Sequence, residues 1–337
     1  MTFLTISEGD TERLTVSPGQ PEQVHVFDQP SIDAVNAALA ARRPLLVLGE
    51  PGTGKSQLAR AVAQRLRRVF LHRVVDARTE AQDLLWHFDA VNRLAEAQLA
   101  GALGDDNPQA VRDRLALRNF LSPGPLWWAL NWSDAAAQAK ICQLAISAQI
   151  EAAGPAKDKD GELPKADPTR NGCVVLIDEI DKAEPELPNS LLEVLGNGEF
   201  SPPGLSAAVK AAEPSPLIII TSNEERTLPA AFLRRCLALR LSLPDERERL
   251  IPHLIARGKA HFNSEDGANT VDVKVLEACA KLLANDRATA PDPKPGQAEY
   301  LDLVRAVITL EKQDAVKQMA LIQRIAPYVL KSQARQP

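Results

Sequence analysis

Aromatic residues make up only 4% of the 337 residues, so any core must be filled by the Leu, Val, Ile and Ala behind a hydrophobic content of 45%. The cysteines, Cys142, Cys173, Cys236 and Cys279, stand far apart with no C-x-x-C pair. That excludes a zinc ribbon and a disulfide framework, and implies reduced thiols in a reducing compartment. Histidine pairs at ligand spacing are missing as well: the five histidines show neither H-x-H nor H-x-x-x-H, and each reads as structural. No apolar run approaches the roughly eighteen residues of a membrane span, and the N-terminus is not signal-like. The expectation is a cytoplasmic chain with no membrane partner. A basic surplus is also lacking. The net charge of −5 and pI of about 5.7 argue against a surface given over to nucleic acid, although a local basic patch is allowed.

What the chain does have is concentrated in Leu45–Ser56, LLVLGEPGTGKS. Four apolar residues make a short buried strand, glycines punctuate a loop, and Lys55-Ser56 open a helix. Gly49, Gly54, Lys55 and Ser56 meet the spacing G-x-x-x-x-G-K-[ST] in the strand-to-helix context that it requires. The chemistry is anion binding: backbone N–H groups of Gly49, Glu50, Pro51-flanked Gly52, Thr53, Gly54 and the first helical residues through Gln57 turn inward around phosphate oxygens, at the positive end of the helix. Lys55 reaches the β- and γ-phosphates, and the Ser56 hydroxyl ligates Mg²⁺. A glycine-rich turn with Lys55 on the surface is the bland alternative. Strand, glycines, Lys-Ser and helix in one register favour a nucleoside triphosphate site.

Residues 1–30 show no firm element; Gln23–Phe27 reads as a short strand or an extended segment, with His25 and Phe27 packing rather than touching a base. Ser31 looks like the N-cap of a helix reaching Ala41. Leu58, Val62 and Leu66 line a second helix whose basic end, Arg65–Arg68, is expected to be solvated. Val69–Val75 reads as a strand, Asp83–Trp86 and Leu94–Ala100 as helices, and Ala135–Ala152 as an Ala-rich helix. Trp128 and Trp132, within the Trp-rich stretch after residue 126, are placed on one helix face packed against the core rather than offered to a partner. A polar stretch over residues 154–170 is expected to be a flexible loop. Cys173–Ile177, Leu217–Thr221 and Leu237–Leu241 are further apolar strands, with a hairpin near Glu199-Phe200. From Asp245 onward the pattern is helical. The expected fold class is α/β: an αβα sandwich on a five-stranded parallel sheet over residues 1–244, followed by an all-helical lid over residues 245–337.

Further signals bear on what is done with the nucleotide. The strand VVLIDE places Asp178 where a carboxylate can hold the Mg²⁺ water shell, and Glu179 where a carboxylate can polarise an attacking water. That pair favours hydrolysis over transfer to a substrate; alone it would as readily be a helix-start cap. Asn223, after the LIIIT strand, can bond both the γ-phosphate and the lytic water, although a lone Asn there is otherwise a turn residue. Arg234 and Arg235, in LPAAFLRRC, are solvated, paired to carboxylates, or projected to a neighbouring subunit's nucleotide.

The set GEPGTGKS, VVLIDEIDKA, IIITSN and LPAAFLRRC, in this order before a helical tail, resembles the AAA+ ATPases. RTEAQDLLWHFDAVNRL, SPGPLWWAL and PNSLLEVLGNGEFSPPG resemble the MoxR family within them. The resemblance covers roughly residues 44–243. It implies ATP and Mg²⁺ as cofactors, Asp178 and Glu179 as Walker B residues, Asn223 as sensor 1, and Arg235 as finger with Arg234 its neighbour. It also implies a homo-oligomeric, hexameric ring that works with a partner carrying a von Willebrand factor A domain to remodel or activate proteins or metal centres. An arginine usually opens a lid helix as sensor 2; here Gln297 stands at that position, and Gln297, Lys294 and Arg305 are the candidates for the role. A nucleic-acid motor or loader, and an ATP-binding assembly switch without turnover, are the alternatives.

Overall fold

The computed structural model of the chain describes residues 2–14, 22–102, 107–142, 167–263, 271–290, 294–312 and 314–330. In chain order, β1 (Thr11–Leu14) and β2 (Gln23–Val26) precede α1 (Gln29–Ala41), β3 (Leu45–Leu48), α2 (Lys55–Arg65) and β4 (Val69–Val74). Next come α3 (Ala81–Leu85), β5 (Trp86–Phe88), α4 (Ala90–Ala102), α5 (Pro108–Arg114), β6 (Leu121–Pro123), α6 (Pro125–Leu130) and α7 (Trp132–Ile141). Then follow β7 (Cys173–Asp178), α8 (Glu186–Asn197), β8 (Glu199–Phe200), β9 (Val209–Lys210), β10 (Leu217–Ser222), α9 (Ala230–Arg235) and β11 (Leu237–Arg240). Four helices close the chain: α10 (Arg247–Phe262), α11 (Val273–Thr289), α12 (Gln297–Leu310) and α13 (Ala315–Val329).

The five expected strands form one parallel sheet in the order β11-β3-β10-β7-β4. Its continuous apolar runs follow from burial on both faces: Val174 to Ile177 are 0% exposed. Strand β7 pairs in register with β10 (Val174 with Leu217) and with β4 (Val69 with Cys173). Such side chains each contribute about 1.5–3 kcal/mol when fully buried. In this order β3, β10 and β7 are neighbours. Their carboxyl ends run on into the phosphate loop, Asn223 and Glu179 respectively.

The chain divides into two compact units. One consists of Met1–Thr5, Asp33–Leu46 and Val62–Ala238; the other of Ile6–Ile32, Val47–Ala61 and Leu239–Pro337. In the first, β5 pairs antiparallel with β6, and β8 with β9, the latter being the expected hairpin with a longer loop. Trp127 and Trp128 are core, and Trp132 is half-buried: Trp127 is 0% exposed, donates from Nε1 to Asp134 at 2.7 Å and meets Phe200 edge-on. Trp128 and Trp132 do not share a helix, however. Asn131 separates α6 from α7 and caps α7, and their rings meet at 4.7 Å across that break. Trp86 likewise leaves its expected helix to pair with Pro123 in β5.

Two local expectations need correction. The cap of α1 is Asp28, whose Oδ1 accepts from the Ser31 N–H at 2.9 Å, so the helix starts at Gln29. Arg68 is not solvated: it is 2% exposed and donates to the Ser215 carbonyl at 3.1 Å, and burial lowers its pKa. The expected helix over residues 135–152 and the loop over residues 154–170 fall largely outside the described residues; α7 ends at Ile141, and residues 168–170 form a turn.

In the second unit, β1 pairs antiparallel with β2. Helices α10 to α13 enclose a core that includes Leu254, Val275, Leu276, Tyr300 and Val304. A glycine is required inside α10: a Cβ on Gly258 would lie 2.5 Å from the Tyr300 hydroxyl, which donates to the Leu276 carbonyl at 3.4 Å. Among the described residues no helix is long and apolar enough to cross a membrane. All four cysteines are free and buried. Burial pushes the Cys173 and Cys279 thiols up to about 12.

Candidate functional site

The phosphate loop belongs to the second unit. Gly49, Gly52 and Gly54 have φ of +146°, +77° and +95°, which side-chain-bearing residues rarely adopt. Gly49 is doubly constrained, because a Cβ there would lie 2.1 Å from the Leu241 carbonyl oxygen. Lys55, 6% exposed, folds its ammonium back to donate to the Gly49 and Glu50 carbonyls at 2.8 and 2.9 Å. The Thr53 hydroxyl donates to the Glu50 carbonyl at 2.9 Å. Lys55 and Ser56 open α2, so the helix N-terminus follows the loop directly. Pro51 is exposed, and Gln57 bonds Gln23 at 3.4 Å.

The acidic strand end and Asn223 belong to the first unit and are brought together there. Asp178 ends β7; its Oδ1 accepts from the Thr221 hydroxyl, and its Oδ2 lies 3.4 Å from His72 Nε2. Glu179 follows in the left-handed region, at φ 62°. A non-glycine residue holds such a conformation only where its surroundings over-determine it. Here the Glu179 N–H donates to Thr221 Oγ1 at 2.9 Å, Oε1 accepts from Asn223 Nδ2 at 3.2 Å, and Oε2 lies 2.7 Å from Lys182 Nζ. The Asn223 backbone is held in turn by Asp181, 2% exposed, which also accepts from the Glu225 N–H at 2.9 Å. A carboxylate and an amide are thus fixed side by side, one able to take a proton from water and the other to orient it.

Arg234 and Arg235 end α9 with exposed side chains, anchored by Phe232 at 0% exposure. They border a cavity of about 340 Å³ with Arg42 and Arg43. The cluster is strongly basic, and among the described residues no carboxylate lines it.

Of the three lid candidates, Gln297 faces a cavity near the phosphate loop. It is 7% exposed and lines a space of about 230 Å³ with Thr53, Gly54, Gln57, His253 and Arg257. Arg305 turns elsewhere, onto Asp302 at 2.9 Å and the Phe262 ring at 5.7 Å, and Lys294 is exposed. Burial first, then the Arg257 charge, lowers the His253 pKa. Phe27 packs, as expected, at 1% exposure; His25 is buried too but also borders this cavity.

Several supporting residues escape a reading of the sequence. Asp181 lies in the same motif as Asp178, and nothing in its type distinguishes a bound-water ligand from a backbone brace. Arg287, in α11, is buried and sits 2.7 Å from Glu50 Oε2 while donating to the Pro295 carbonyl at 3.1 Å. No local pattern marks it. Among the described residues no three His, Cys, Asp or Glu side chains gather into a metal cluster. The Ser56 hydroxyl in the second unit and the Asp178 carboxylate in the first are each hard oxygen donors, the chemistry that Mg²⁺ takes.

Comparison with known proteins gives two family matches. Residues 44–105 match an AAA domain of the dynein-related subfamily, and residues 132–260 match an AAA domain of the Cdc48 subfamily. No match was found among curated proteins. Among solved structures, a RuvB mutant from Thermotoga maritima is similar at 14% identity over 90% of this chain and 69% of that one, with a TM-score of 0.43. The two family matches together take in the phosphate loop, the acidic strand, Asn223 and Arg235, and both are matches to AAA domains.

Proposed function

We propose that this chain is a Mg²⁺-dependent ATPase of the MoxR type, with a nucleotide-binding domain over residues 1–244 and a lid over residues 245–337. It works in the cytoplasm as a ring oligomer, with six copies the expected number. Its task is to remodel or activate a client protein, together with a partner that carries a von Willebrand factor A domain. The observation that carries the reading is the fixed Glu179–Asn223 pair, at 3.2 Å, on segments that follow adjacent strands.

In this mechanism Lys55 exchanges its carbonyl partners for the β- and γ-phosphate oxygens, and the glycines present backbone N–H groups to the same oxygens. Ser56 and Asp178 would hold Mg²⁺, which neutralises charge on the phosphates when bound. Glu179 takes the proton from water as the water oxygen bonds to the γ-phosphorus and the bond to the bridging oxygen breaks. Asn223 orients that water, and Lys182 keeps the Glu179 carboxylate in place. Arg235, with Arg234 beside it, stabilises the transition state in a neighbouring copy; such a finger is worth about 10³–10⁵ in rate. Exposure of Leu233 (42%) next to these arginines supports an interface at α9.

The test is steady-state phosphate release beside nucleotide binding. Glu179→Gln is expected to bind ATP and to lose turnover by about 10²–10⁴-fold. Unchanged turnover would remove Glu179 from the chemistry, and no release by the parent protein would leave a binding switch. Stimulation by single- or double-stranded DNA would replace the protein-remodelling reading by a nucleic-acid motor. What co-purifies with the ATP-bound Glu179→Gln protein identifies the partner.

A further inference from the structure

Arg43, just before β3, has no part in the chemistry above, yet it grips the segment that carries both candidate fingers. Its Nε donates to the Arg235 carbonyl at 3.1 Å, and its Nη2 donates to the Arg234 carbonyl and, at 3.4 Å, to the Cys236 carbonyl. These carbonyls stand at the end of α9, where a helix leaves its acceptors unmatched and presents its negative pole. Helix α9 has only six residues, too few for its own hydrogen bonds to hold it. Phe232 fixes one side of it in the core, and Arg43 fixes the backbone from which the two arginine side chains leave. The neighbouring Arg42 is turned away from this task by an ion pair with Glu213 at 2.7 Å.

We propose that Arg43 is a positioning residue for the trans-acting arginine: its planar fork sets the direction in which Arg234 and Arg235 leave the subunit. The inference rests on the reading that one of those side chains acts on a neighbour's nucleotide. A guanidinium suits the task because its donors form a rigid array that reaches several carbonyls at once, whereas an ammonium is a single flexible point. Displacing a catalytic group by about 1 Å costs on the order of 10²-fold in rate. The effect of losing the fork should therefore fall on turnover and not on nucleotide binding.

The test is a set of mixed-oligomer assays. Arg43→Ala should bind ATP with wild-type affinity and show kcat lowered about tenfold to a hundredfold at unchanged KM. Mixed with Lys55→Ala subunits, which bind ATP weakly but keep an intact α9, it should recover activity, as should the double variant Arg234→Ala/Arg235→Ala. Arg43→Lys should give an intermediate kcat and the same recovery, and it serves if Arg43→Ala does not fold. If the double finger variant recovers but Arg43→Ala and Arg43→Lys are either unimpaired or not rescued, Arg43 has no positioning role. If the double finger variant itself is not rescued, the trans-acting reading fails, and the inference falls with it.

Discussion

Asp181 holds the backbone of Asn223: both of its carboxylate oxygens accept from the Asn223 N–H, at 3.2 and 3.1 Å. Oδ2 also takes the Glu225 N–H, so a carboxylate with 2% exposure is satisfied almost wholly by the turn that presents the amide. Buried charges of this kind are tolerated only when hydrogen-bonded, and removing the acceptor strands the donors. Asp181→Ala should cost about 2–4 kcal/mol in urea unfolding and abolish turnover. Asp181→Asn keeps one acceptor oxygen and should lose less stability. An Asp181→Ala protein as stable and as active as its parent would show that the turn positions Asn223 unaided.

The division between what the sequence reveals and what it hides follows from the range of the forces. Strands β7 and β10 were legible because burial on both faces demands unbroken apolar runs. The phosphate loop was legible because positive φ and close backbone approach demand glycine at fixed spacing. Strand β1, TERL, was not: its residues carry no apolar alternation, and its place comes from pairing with β2. Arg68 departs from expectation because a charged residue at a helix end is normally solvated, while here the Ser215 carbonyl, distant in sequence, supplies its partner. Asp181 and Arg43 share this character. Each serves through backbone groups that only the fold brings near.

Lys55 offers a prediction about binding alone. With the ammonium buried on the Gly49 and Glu50 carbonyls, the loop is arranged around a positive charge before any phosphate arrives. Lys55→Ala removes that charge and the phosphate contacts it would make. Hydrogen bonds to charged groups are worth about 1.5–3 kcal/mol, so ATP should bind roughly ten- to a hundredfold more weakly. The loss should be much smaller for AMP, which lacks the β- and γ-phosphates. Isothermal titration with ATP, ADP and AMP separates the cases, and equal losses for all three would place Lys55 away from those phosphates.

Arg287 and Glu50 join α11 to the phosphate loop within the second unit, at 2.7 Å. The arginine is buried and the carboxylate about half exposed. Such a pair loses more when one partner is removed than its own net worth, since the remaining charge is left unpaired. Arg287→Met should destabilise the protein by about 3 kcal/mol, and Glu50→Gln by less. In the double variant the losses should not add; a coupling of at least about 1 kcal/mol is expected in a double-mutant cycle. Additive losses would mean that the Pro295 carbonyl, not Glu50, is the partner that matters to Arg287.

Two buried histidines predict the acid limb of stability. Burial first, then the Arg257 charge, holds the His25 imidazole at a pKa of about 3; burial, then Arg305 and Arg257, holds His261 at about 4. Both values lie below the ordinary 6.5, so the folded protein binds fewer protons than the unfolded chain between the two. By linkage, stability is then full above about 6.5 and falls as pH drops toward 4, by up to about 1.4 kcal/mol per pH unit for each histidine. Carboxylates add their own acid dependence, so the comparison is between the parent and a His25→Gln/His261→Gln variant. Urea unfolding at pH 7.5, 5.5 and 4.5 should show the parent losing stability faster than the variant over the whole range. Parallel curves would mean that neither imidazole is excluded from protonation by the fold.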